Sequence, residues 1–199
     1  MIIDQAVEVR KGEELDLQTL NTYLHKHSMI GPVLGQKQFP GGYSNLTYLL
    51  RTENCEYILR RPPAGAAIKS AHDMSREFKV LSLLEPVYNK VPKPVILCED
   101  ITILGSPFYI MERITGLILR PAQAKDIRLT FSDMRRISES LIDNLVELHA
   151  IDVTQGRLSQ LGQPEGYISR QVDGWGKRYI NAQTDPIESM DSVIQWLGS

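Results

Sequence analysis

Apolar residues in this chain recur at two spacings, and the spacing changes partway along. Residues 15–27 carry Leu17, Leu20 and Leu24 at helical intervals behind Asp16, which predicts a first amphipathic helix. The next segments alternate instead. Val33 to Phe39 reads as a weak strand. Over Leu46–Arg51, Leu46, Tyr48 and Leu50 share one face. Over Glu56–Arg61, Tyr57 and Leu59 share one face, with Ile58 and Arg60 on the other. Pro40-Gly41-Gly42 and Glu53-Asn54 supply turn chemistry at the two joints, so the three strands are read as an antiparallel meander. Pro62-Pro63 stops the third strand, because proline has no N–H to give a ladder. A second helix follows over residues 72–85, with Met74, Phe78, Leu81 and Leu84 on one stripe. Two further strands, Val95 to Cys98 and Phe108 to Met111, come after Pro86, Pro92 and Pro94.

Beyond Gly116 the period is helical. Residues 133–149 place Met134, Ile137, Leu141, Leu145 and Leu148 on one stripe, with Ser132 as the N-cap. Residues 167–181 carry Ile168, Val172, Trp175 and Tyr179. Residues 186–197 carry Ile187, Met190, Ile194 and Leu197 behind the start signal Asp185-Pro186-x-Glu188. Trp175 and Trp196 fall on or beside these stripes and are assigned to the core. The order of elements predicts an α+β fold in two lobes, a β-rich lobe over residues 1–115 and a helical lobe over 116–199.

Composition narrows the function classes. A chain of 199 residues suits one domain or two small lobes. The net charge of −2 gives no whole-chain electrostatic reason to bind nucleic acid or an anionic membrane. The longest apolar stretch, Ile101 to Met111, is cut by Gly105 and Pro107, well short of the roughly 20 residues a spanning helix needs. Acidic residues stand near the N-terminus where a secretory leader would be apolar, which predicts a cytoplasmic protein. Cys55 and Cys98 lack any metal-ligand spacing and are read as buried thiols in a reducing compartment, with a disulfide as the lesser alternative.

Three places could carry chemistry. In Phe39–Thr47 two glycines between strands let backbone N–H groups face a concavity, and Ser44 and Asn45 add side-chain donors. An ordinary hairpin turn accounts for the same residues. Arg60 sits in a strand and Glu77 in the following helix, beside its apolar stripe. A strand cation paired with a helix acid is how kinases hold the α- and β-phosphates, but a solvated surface pair worth about 0–1 kcal/mol has the same residues. In Phe108–Gly116 a strand runs into a linker whose backbone could read an adenine edge, or simply ends at a glycine turn. His25 and His27 are two apart and are read as surface residues, and His149 as a structural helix end. No GxGxxG-helix, GxxxxGK[ST], HExxH or GxSxG pattern occurs.

Taken in order, FPGGYSNLTYLL, YILRRPPAG, SAHDMSREFKVLSLL, VPKPVILCED, LGSPFYIMERITG and LVELHAIDV resemble the aminoglycoside-phosphotransferase-like family. The branch they resemble is the one related to the kinase-like domain fused to acyl-CoA dehydrogenases, and GYISRQVDGWGKRY fits it too. The resemblance runs from about residue 34 to 199. It implies a protein-kinase-like bilobal fold, an antiparallel β-sheet N-lobe with one key helix followed by a helical C-lobe. ATP and Mg2+ would bind between the lobes, and the γ-phosphoryl group would pass to a substrate hydroxyl. By the same resemblance Gly41, Gly42, Ser44 and Asn45 form the phosphate loop, Arg60 is the strand cation and Glu77 its helix partner. Glu112 and Ile114 are hinge positions whose backbone contacts adenine, and Met111 lines that pocket. Arginine at position 60, where many relatives use lysine, keeps the charge and adds a fork, but not lysine's point-charge geometry.

The family's catalytic segment, histidine-glycine-aspartate followed by asparagine, and its later metal-binding aspartate would come after the Trp196 region. The catalytic loop and magnesium ligands are therefore expected beyond residue 199, and this chain alone is expected to be inactive. The stripes on 133–149 and 186–197 would then lack cover, which predicts an exposed apolar patch, self-association, or poor order near residue 199. The implied acceptor is a hydroxyl on an acyl-CoA-like or other small metabolite rather than an aminoglycoside. A non-catalytic nucleotide-binding or regulatory module is the second reading. An unrelated α+β binding protein is the third, to be favoured if Arg60 and Glu77 lie far apart.

Overall fold

Strict alternation in the strand segments becomes one five-stranded antiparallel sheet of order β1-β2-β3-β5-β4. The computed structural model describes residues 5–28, 30–40, 45–63, 73–118 and 129–198. The elements run α1 (Leu17–His27), β1 (Gly35–Gln38), β2 (Leu46–Arg51), β3 (Glu56–Arg61), α2 (Met74–Leu84), β4 (Pro94–Cys98), α3 (Ile101–Leu104), β5 (Phe108–Glu112), α4 (Phe131–His149), a 3-10 turn over Gly156–Leu161, α5 (Tyr167–Ala182) and α6 (Glu188–Gly198). The α+β class and the meander of the first three strands agree with the sequence pattern. The last strand does not continue the meander, because β5 inserts between β3 and β4.

Pairing of Tyr48 with Leu59, and of Leu59 with Ile110, stacks the apolar members of three strands on one face. There they meet Leu20 and Leu24 of α1 and Leu104 of α3, and form the core. Tyr48 is fully buried, and its hydroxyl is satisfied by donating to the Glu13 carbonyl at 2.8 Å. The opposite face carries Thr47, Leu49, Ile58, Arg60, Tyr109 and Met111. Phe78 of α2 packs edge-on against Tyr109, with ring centroids 6.1 Å apart, and so seats α2 on that face. Adjacent arginines separate by the same alternation. Arg61 lies over the Tyr48 ring, 5.8 Å from its centroid, and donates to the Leu104 carbonyl at 3.1 Å, while Arg60 faces the other way.

Several local expectations are corrected. α4 is capped by Thr130 rather than Ser132, because Thr130 and Asp133 exchange side-chain and backbone hydrogen bonds in a two-way box. α6 starts at Glu188. Asp185, three residues before that start, accepts from the Thr184 hydroxyl at 3.2 Å. The unforeseen α3 forms because Asp100 accepts from the Thr102 amide and Gly105, at φ 78°, closes the turn in the left-handed region. Cys55 is exposed rather than buried; Cys98 is buried, and both are free thiols. Trp175 and Trp196 are 63% and 74% exposed rather than core, the former with the Arg178 guanidinium 4.7 Å above its ring.

Two compact units divide at Asp152/Val153, later in the chain than the 115/116 lobe boundary read from the sequence. α4 belongs to the first unit, where Tyr88 donates to Asn144 at 3.3 Å and Lys90 pairs with Glu147. α4 buries none of its residues, so Met134, Ile137, Leu141 and Leu145 form an exposed apolar stripe. In the second unit α5 and α6 approach closely at Gly176, where a Cβ would stand 3.3 Å from Ile194. Among the described residues no helix is long and apolar enough to cross a membrane.

These two environments give a contrast in stability. Leu59→Ala, at a fully buried position of the central strand, is expected to cost about 2–5 kcal/mol in urea unfolding. Leu141→Ala, 67% exposed, is expected to stay within about 0.5 kcal/mol. Equal losses would mean that the α4 stripe is covered in solution.

Candidate functional site

Glu77 enters the sheet face from the first turn of α2. The helix begins there because Asp73 caps it, accepting from the Arg76 amide at 2.9 Å, and an acid in that turn complements the positive end of the helix dipole. Arg60 reaches the same face because its neighbour Leu59 is committed to the core. The two meet with Arg60 Nη1 at 3.2 Å from Glu77 Oε2. Tyr109 stands opposite Arg60 in the β3–β5 register and donates its hydroxyl to the same Oε2 at 2.9 Å. Asn45, just before β2, donates its side-chain amide to Oε1 at 2.9 Å. Both carboxylate oxygens are therefore held, by donors from three separate strand segments.

The Arg60 and Glu77 side chains are 32% and 31% exposed, so water screens the pair and its main effect is orientation rather than stability. Beside it lies a cavity of about 340 Å³. Arg60, Arg76 and Glu77 form its charged side; Leu81, Tyr109 and Met111 form much of the rest. Arg60 Nε is buried with no acceptor among the described residues. Burial pushes the Tyr109 phenol well above its ordinary value of 10.0; Glu77 adds to the shift, and Arg60 opposes it. Tyr109 thus keeps its proton and remains a donor to Glu77 throughout the neutral range.

Of the residues singled out from sequence, Gly41, Gly42 and Ser44 lie outside the described residues. Arg60, Glu77 and Met111 come together in the cavity, and Asn45 reaches it through Glu77. The Glu112 amide hydrogen is donated to the Lys93 carbonyl at 2.9 Å, so that N–H is not available to a base. Ile114 is 64% exposed and does not line the cavity. The sequence reading missed Tyr109 and the contact of Asn45 with Glu77. Alternation along Phe108–Met111 puts Tyr109 on the face of Met111, but only the placement of β5 beside β3 brings it to Arg60. Among the described residues no three His, Cys, Asp or Glu side chains gather as a metal site.

A family model described as "Phosphotransferase enzyme family" matches residues 35–199. Acyl-CoA dehydrogenase family member 11 of Rattus norvegicus is 34% identical over 196 residues, covering 96% of this chain and 25% of that protein. Acyl-CoA dehydrogenase family member 10 of Mus musculus is 35% identical over 193 residues, covering 95% and 18% respectively. The chain therefore spans about a quarter or less of the length of these relatives. A solved structure from Ralstonia eutropha, assigned to the aminoglycoside phosphotransferases, superposes with a TM-score of 0.69 at 27% identity. The match covers 93% of this chain and 53% of that one. The fold is kinase-like, as the motif order implied.

Tyr109 gives a pH test. Its pKa is raised on folding, so between about 10 and the folded value the unfolded state holds fewer protons. Stability should then fall as pH rises above about 10. Tyr109→Phe is expected to flatten that alkaline fall in denaturation midpoints and to remove a late-ionising phenol from the absorbance titration. An unchanged slope would show that the hydroxyl is not held.

Proposed function

The chain belongs to the phosphotransferase enzyme family, and we propose that it carries the nucleotide-holding part of an ATP-dependent small-molecule kinase, which moves the γ-phosphoryl group to a substrate hydroxyl. The observation that carries this reading is the meeting of Arg60 with Glu77 on the sheet face beside the cavity. A polyphosphate needs a cation already pointing at it. Glu77 holds the guanidinium, and Tyr109 and Asn45 hold Glu77, so little side-chain freedom remains to be lost when a phosphate binds. With Nη1 held by Glu77, the rest of a guanidinium that lines the cavity suits the oxygens of a phosphate.

In this reading Gly41, Gly42 and Ser44 cover the phosphates, and Asn45 keeps the helix acid in place. Met111 packs against the base, and the hinge at Glu112 and Ile114 reads its edge by groups other than the Glu112 N–H. Bound magnesium supplies neutralisation of phosphate charge. The described residues do not gather ligands for it, so no residue here is assigned to the metal or to the proton of the acceptor. Kinship with acyl-CoA dehydrogenase family members supports an acyl-CoA-like hydroxyl acceptor over an aminoglycoside. The reading places the protein in the cytoplasm, without nucleic-acid or membrane partners. It assigns the α4 stripe to contacts with another copy or another polypeptide segment.

Calorimetry with Mg-ATP tests the cleft. Arg60→Ala is expected to weaken binding about tenfold or more, the loss of a hydrogen-bonded charge, while Arg60→Lys keeps much of the affinity. Nucleotide binding by Arg60→Ala as tight as wild type, or no binding by wild type, would overturn the cleft. Tight binding with no phosphoryl transfer from this chain or a longer one would favour the non-catalytic module.

A further inference from the structure

The sheet face that carries Arg60 continues to the other end of the strands, where a second cavity of about 300 Å³ opens. Gly35, Lys37, Leu49, Arg51, Glu56 and Arg113 form most of its lining. Three of these are cations and one is an acid. Glu56 is paired with Arg113, whose side chain is only 15% exposed, so this ion pair is a fixed wall. Among the described residues no carboxylate pairs with Lys37 or Arg51, which stand on neighbouring strands two register positions apart, on one face. Glu56 stands opposite Arg51 in the β2–β3 register, yet among the described lining residues cations outnumber acids three to one, which raises the local anion concentration.

Gly35 lines this cavity and pairs with Arg51 in the β1–β2 register. Its φ is outside the left-handed region, so the backbone does not require glycine there. A Cβ at position 35 would meet nothing but the Arg51 guanidinium, with Nη2 at 3.6 Å and Nε at 3.9 Å. The Arg51 guanidinium thus lies beside Gly35 of β1, and both residues line the cavity.

We propose that this cavity is a phosphate-binding site, separate from the nucleotide cleft, in which Arg51 and Lys37 hold a phosphate dianion against the Glu56–Arg113 wall. The fork of an arginine and the point charge of a lysine suit a tetrahedral dianion, and the net charge of the lining, +2, matches it. The volume accommodates a phosphate or a small phosphomonoester. Arg51 lies four residues along β2 from Thr47, the partner of Arg60, which at about 3.3 Å per residue is roughly 13 Å. The two sites therefore lie toward opposite ends of the strands, and they share none of the described lining residues. Arg113 sits between Glu112 and Ile114, so a ligand here bears directly on the linker segment. The proposal does not depend on the nucleotide reading.

Inorganic phosphate titrated into the full chain, followed by calorimetry and by backbone amide shifts, tests it. Saturable binding is expected, with shifts centred on Gly35, Arg51 and Arg113. Arg51→Ala, at an exposed position, should weaken it about tenfold or more with the fold intact, and Lys37→Ala/Arg51→Ala should abolish it. Gly35→Val should weaken it by filling the cavity, with a melting curve to confirm the fold. Arg60→Ala should leave the phosphate-induced shifts at Gly35, Arg51 and Arg113 unchanged. Glycerol 1-phosphate as a second probe separates the sources: tighter binding than inorganic phosphate assigns the site to a phosphorylated metabolite, and equal or weaker binding assigns it to free phosphate. Affinity unchanged in Lys37→Ala/Arg51→Ala, loss of the Gly35, Arg51 and Arg113 shifts in Arg60→Ala, or no saturable binding would overturn the proposal.

Discussion

A single carboxylate organises one face of this protein. Glu77 accepts from Tyr109 and Asn45 and pairs with Arg60, so it ties α2 to β2, β3 and β5 at one point. The pair is too exposed to add much stability, and its value lies in geometry. A long guanidinium in water samples many rotamers, whereas one held by a fixed acid presents its remaining donors in one direction. Phe78 on Tyr109 adds the apolar packing that sets the height of α2 above the sheet.

That arrangement depends on the face beneath it. Leu59 and Ile110 are wholly buried against α1 and α3, which locks the register of β3 and β5. A slip of one residue would turn every side chain over. Arg60 would then point into the core and Arg61 toward α2. Arg61 is itself held against Tyr48 and the Leu104 carbonyl, so neighbouring identical residues have unrelated duties. The same alternation carries Arg51 and Lys37 to the cationic end of the face, away from the Arg60 cleft.

The helical remainder obeys a different balance. Its stripes are as regular as those of the sheet lobe, yet α4 covers none of its own residues. Amphipathic periodicity specifies that a face needs a partner without specifying which one. This is why Trp175 and Trp196, core residues by pattern, are exposed here.

Local chemistry was legible residue by residue. Alternation set the inner and outer faces of β2, β3 and β5. Helical spacing set α1, α2, α4 and α5, and the ordered motifs pointed to a kinase-like fold and to Arg60 with Glu77. These follow from interactions within a few residues, or from a resemblance that spans the chain. Strand order was not legible, because insertion of β5 between β3 and β4 is decided by how apolar faces pack at long range. With it went the role of Tyr109, which becomes a partner of Glu77 only once β5 lies beside β3. The exchange of caps at Thr130 and Asp133, and the gathering of Lys37, Arg51 and Arg113 around Gly35, were decided by three-dimensional placement for the same reason. Periodicity says which way a side chain faces, and only tertiary packing says what it meets there.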